Sequence, residues 1–144
     1  MKWLILVHVV GATVWVGGHL ILSIGFVPRA LQVKDVDIIV SFERSFERIG
    51  IPALLAQIST GLWMAGIYIP PRQWFTLASA HHQLLWIKLG LVLATLLLAL
   101  HARFFIIPRL SVQNLPSMVF HIWLVTLLAM GLLLTGLSFR YAYF

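Results

Sequence analysis

Long apolar runs separated by short polar breaks organise the whole chain. Four stretches, about 3–27, 49–69, 83–107 and 117–139, reach the roughly 20 residues that a bilayer core demands. The prolines fall at or near their ends: Pro28, Pro52, Pro70, Pro71, Pro108 and Pro116. Proline is poorly tolerated inside helices, so its placement supports these boundaries. The pattern predicts an all-α integral membrane four-helix bundle, one transmembrane domain over residues 1–144. The second and third connections are short, so the helices that they join are expected to be antiparallel neighbours.

The first connection differs. It holds all four acids, Asp35, Asp37, Glu43 and Glu47. Within it Ser41-Phe42-Glu43-Arg44 repeats at once as Ser45-Phe46-Glu47-Arg48. A four-residue period puts Phe42 and Phe46 on one helix face and the charges on another. Residues 36–48 therefore read as an amphipathic helix at the membrane surface, or as a solvated start that runs into the second span. With those boundaries the spans contain no Asp or Glu, which weakens a carboxylate relay and hard-cation transport.

Composition agrees with a membrane domain. The chain is 61% hydrophobic and 10% charged, with mean hydropathy +1.00; a soluble domain has roughly a quarter charged residues. A net charge of +6 would suggest nucleic acid in a soluble protein. Here the basic residues flank apolar runs, so they read as topology signals and contacts with anionic lipid, and no nucleic acid is expected. Connections one and three carry Arg29, Lys34, Arg44, Arg48, Arg103 and Arg109. The other side has Lys2, Arg72, Arg140 and the intramembrane Lys88. The bias puts connections one and three in the cytoplasm and both termini outside. The absence of cysteine excludes disulfides, Cys-ligated zinc and iron–sulfur clusters. The first run exceeds the roughly 7–15 residues of a signal-peptide core and reads as a retained helix.

Six histidines are the candidate chemistry. Ionisable groups in hydrocarbon are costly and mark function by default, and imidazole is a common metal and haem ligand. Counting from helix ends gives two layers. The outer one holds His8, His81, His82 and Lys88; the inner one holds His19, His101 and His121. His8 and His19 are eleven residues apart and share a stripe to within about 20°, with Trp15 between them. Beside it run Gly11, Gly18 and Gly25 at heptad spacing. Small residues allow close helix approach or leave room for a flat ligand. Gly90 and Ala94 share the stripe of His101. Blander readings stand beside these. His81 and His82 are at the water interface, His101, His121 and Lys88 can snorkel, and glycine ladders more often serve packing. Met64 and Met130 are further soft donors or core residues.

These residues resemble a known family. His8 followed by Trp15-Val16-Gly17-Gly18, then Phe46-Glu47-Arg48 leading to Thr60-Gly61-Leu62, then Leu84-Leu85-Trp86-Ile87-Lys88-Leu89, is similar to the copper resistance protein D (CopD) family of bacterial inner-membrane proteins. The likeness runs over roughly residues 5–110, in a short four-span form. HemJ-type protoporphyrinogen oxidases are also similar, through His8, Lys88, Val27-Pro28-Arg29 and Thr60-Gly61-Leu62-Trp63. The fourth span departs from them, having Met118-Val119-Phe120-His121 where an acidic motif is expected.

The CopD resemblance implies copper transport or homeostasis in the inner membrane, with His8 and either His81 or His82 at an entry and His19, His101 and His121 at an exit. The alternative is a haem b redox protein. In it His101 pairs with His19 or His121 as axial ligand, and Gly11, Trp15, Gly18, Gly90 and Ala94 line the pocket. A third reading is a structural subunit without a cofactor. Expected partners are the bilayer, a periplasmic copper-binding protein or a quinone, and a second copy of the chain.

Overall fold

The computed structural model describes residues 1–75 and 80–141. Its long helices are α1 (Lys2–Val33), α2 (Asp37–Tyr68), α3 (Ala80–Arg109) and α4 (Leu115–Tyr141), and no strand occurs among the described residues. All four are long and apolar enough to cross a bilayer. A helix of 32 residues, as α1 and α2 are, spans about 48 Å against a hydrocarbon core of about 30 Å. Both therefore project beyond the core.

The amphipathic segment expected over 36–48 is not a separate surface helix. It is the first part of α2, which continues through Pro52 to Tyr68. Pro52 does not mark a boundary because packing on both sides of it, through Phe46 and Leu54, holds the two halves in one line against α1. The first span also runs on, past Pro28 to Val33.

Two other prolines act alike. In α1 a π-helical turn, Leu22–Phe26, precedes Val27-Pro28-Arg29. In α3 another, Ala102–Ile106, precedes Ile107-Pro108-Arg109. A proline ring clashes with the carbonyl four residues back and supplies no N–H. Those carbonyls, on Ile24 and Phe104, lie inside the wider turns, which relieves the clash while the chain stays helical. The turn into α2 uses Lys34 at φ 53, the αL conformation that closes a helix.

The helices pack in the spatial row α2, α1, α4, α3. The expected pairing of consecutive spans holds for α3 with α4 but not for α2 with α3, which do not form a packed pair. Side chains explain the order. At Gly11 an added Cβ would meet the Ala53 carbonyl oxygen at 2.8 Å, so its hydrogen is what lets α2 lie against α1. The Ser23 hydroxyl donates to Thr126 Oγ1 at 2.6 Å, and Thr126 donates onward to the Ile122 carbonyl, which ties α1 to α4. His121 Nε2 donates to the Leu98 carbonyl, which ties α4 to α3. Of the most apolar stretch of α4, 39% is buried, against 6% for α3, so α4 is the spine and α3 the lipid-facing flank.

Candidate functional site: two histidine levels and an inner cavity

Three histidines, His8, His19 and His121, are each held by a backbone carbonyl, and this decides which ring nitrogen carries the proton. A carbonyl can only accept, so the ring nitrogen facing it carries the proton. His8 Nδ1 donates to the Gln57 carbonyl at 2.8 Å. Thr60 Oγ1 is 3.1 Å from the same nitrogen and sends its own proton to Ala56, so it accepts as well. His19 Nδ1 donates to the Trp15 carbonyl at 2.9 Å, one turn back on α1. His121 Nε2 donates to Leu98 at 2.8 Å. In the neutral form of each ring the other nitrogen, Nε2 of His8 and His19 and Nδ1 of His121, keeps a lone pair. Metal-binding histidines are built in this way, with one N–H given to a fixed acceptor.

At the outer level, Lys88 lies on α3. Its Nζ approaches α4, 3.6 Å from where a Cβ on Gly136 would stand. His81 and His82 are half-buried at the start of α3, about two turns before Lys88. His8 fits tightly, with its Cε1 3.0 Å from a Cβ built on Gly61.

The inner level holds a cavity of about 260 Å³. All four helices line it: Trp15 and His19 of α1, Glu43, Phe46 and Glu47 of α2, Leu96 and Arg103 of α3, Met118 and His121 of α4, among others. His19 and His121 are both buried. His101 is exposed and is not on the cavity wall, but its ring stands 5.5 Å from that of His121 and stacks on Phe105. The three inner histidines thus form a chain: His19, the cavity, His121, then His101.

The other expected pocket residues divide. Trp15 packs on His19 with ring centroids 4.4 Å apart. The space beside Gly18 is taken by the Phe46 ring, which also stands edge-on to His19. Gly25 and Gly90 have no atom within 4 Å of an added Cβ, and Gly90 is exposed. The small stripe of Gly90 and Ala94 therefore does not line the cavity. A haem does not fit the residues so placed. Pockets for drug-sized ligands measure about 300–1,000 Å³, a macrocycle needs more than this cavity gives, and the slot expected at Gly18 is filled.

Glu43, Glu47, Arg103 and Met118 were not among the sequence-derived site residues. The two carboxylates face the cavity because α2 begins at Asp37, so the four-residue repeat continues the buried stripe Gly50 and Leu54. That spacing was the available signal; a span boundary at 49 hid it. Glu47 accepts from Arg103 Nη1 at 2.7 Å, the one ion pair among the described residues. Its side chains are 23% and 55% exposed, and such pairs contribute about 0.2–1 kcal/mol. No group of three or more His, Cys, Asp and Glu forms a ready metal site among the described residues. Soft donors complete the wall only when the Met118 thioether is counted.

No curated protein and no solved structure matches the chain. The model of one family, described as copper resistance protein D, matches residues 40–139, which covers most of α2 and all of α3 together with most of α4. With four helices able to cross a bilayer, the chain is a multi-pass membrane protein related to copper resistance, and it belongs to the copper resistance protein D family.

Proposed function

We propose that this protein carries copper through a bacterial inner membrane and holds Cu(I) in the inner cavity between His19 and His121, with the Met118 thioether as a further soft donor. The observation that carries this reading is the pair of buried imidazoles on the wall of one cavity, each with one ring nitrogen committed to a backbone carbonyl. Soft sulfur and imidazole donors suit Cu(I), whereas the hard divalent cations prefer oxygen. His8, with His81 and His82, forms the outer approach. His101, ring to ring with His121, forms the inner exit. The excess of Arg and Lys on connections one and three supports a cytoplasmic exit, with both termini and any periplasmic copper donor on the other side.

The test is copper loading of protein purified in mild detergent under reducing, anaerobic conditions, with metal counted by mass spectrometry. The expected result is about one copper per chain, a spectrum without a Soret band, and loss of the copper in His19→Ala combined with His121→Ala. Full copper retained by that double variant, or a Soret band that shifts on reduction, overturns the reading.

A further inference from the structure

One ion pair, Glu47 of α2 with Arg103 of α3, stands on the wall of the cavity. α2 and α3 are consecutive but not packed against each other, so the wall between them is the open side of the bundle. At the outer end the connecting segment links to α3, where Trp86 Nε1 donates to the Trp74 carbonyl at 2.7 Å. At the inner end the polar link between α2 and α3 among the described residues is Arg103 with Glu47. Both residues line the cavity that also holds His19 and His121.

Three features make this pair suited to opening. It is half-exposed, so water competes for both charges. Arg103 lies in the π-helical turn Ala102–Ile106, just before Pro108, where the regular α-helical bonding has already been given up and the segment can rewind. Glu43, one turn before Glu47 on the same wall, has no ion-pair partner among the described residues. Like charges four residues apart on a helix repel.

We propose that Glu47 and Arg103 form an ion-pair gate on the inner cavity, and that breaking this pair opens the path between α2 and α3. The proposal rests on the copper reading for the identity of the cargo, and on the geometry of α2 and α3 for the gate itself.

The chain contains no cysteine, so a single introduced one reports access directly. Ala99→Cys places a thiol on the cavity wall. Its rate of modification by a small cationic methanethiosulfonate is followed by mass spectrometry in otherwise native protein, in Glu47→Gln, in Arg103→Gln, and in the reversed pair Glu47→Arg with Arg103→Glu. Both single variants should label about fivefold faster, roughly the most that one half-exposed ion pair can hold back, and the reversed pair should return to the slow rate. Equal rates in all four overturn the gate. Ala129→Cys, fully buried and not on the cavity wall, monitors folding and should stay unlabelled throughout. If a single variant labels there, the reversed pair decides alone: slow labelling at Ala99→Cys supports the gate and fast labelling overturns it. In parallel, Cu(I) release to a bicinchoninate trap should quicken in Arg103→Gln. Protein that binds no copper but passes the labelling test removes the cargo and leaves the gate; copper binding with unchanged labelling does the reverse.

Discussion

The two polar levels of this bundle use the same residue in the same way and reach different ends. His8 and His19 lie on one stripe of α1, and each donates Nδ1–H to a carbonyl. Around His8 the neighbours are close: Gln57, Thr60 and Gly61 of α2 surround the ring. Around His19 a phenylalanine replaces backbone contact, α3 stands apart from α2, and a cavity remains. A histidine becomes a candidate ligand in a membrane when the helices around it diverge, and a shared stripe does not settle that.

The sharpest way to break this comparison is to remove one level at a time. His19→Ala with His121→Ala should lower copper affinity by more than about 100-fold, since removal of supporting groups alone costs 10–100-fold. His8→Ala should leave the equilibrium copper count at the inner site unchanged and slow its loading from outside. Metal analysis and stopped-flow loading of the two proteins distinguish these outcomes, and equal losses of bound copper in both would merge the levels into one site.

Next in size is the packing contrast along the glycine heptad. Gly18→Ala drives a Cβ into the Phe46 ring and should destabilise by about 1–3 kcal/mol. Gly25→Ala meets open space and should be neutral or stabilising by up to about 1 kcal/mol, because glycine is a weak helix former. Unfolding midpoints in detergent check the pair. Equal effects would mean that Phe46 yields freely and that the cavity wall is soft.

The smallest effect is expected at Thr60. Thr60→Val removes the second acceptor of the His8 N–H but leaves the Gln57 carbonyl in place. The cost should be below about 1 kcal/mol. A larger loss in the same unfolding measurement would make Thr60, and not Gln57, the group that holds His8.

Much of this was readable along the chain. Apolar run length gave the four spans, and eleven-residue spacing put His8 and His19 on one face. Proline was the misleading signal. Pro28 and Pro52 suggested ends, yet each lies within a continuous helical segment, one after a π turn and the other held by packing on both sides. The misplaced start of α2 then removed Glu43 and Glu47 from the site. Gly90 and Ala94 show a different limit of the pattern. Periodicity tells which residues share a face but not what that face meets, and theirs is away from the cavity.

The sequence by itself determined that this is a membrane protein of four spans, because burying a backbone in lipid allows few solutions and run length reports them. It also carried the family likeness. Only the tertiary structure decided which histidines share a cavity, because small side chains at Gly11 and Gly18 bring α2 to α1 while hydrogen bonds through Thr126 and His121 draw α4 and α3 to the other side. That order leaves α2 and α3 apart. The gap between them, with Glu47 and Arg103 across it, follows from long-range packing that no local pattern encodes.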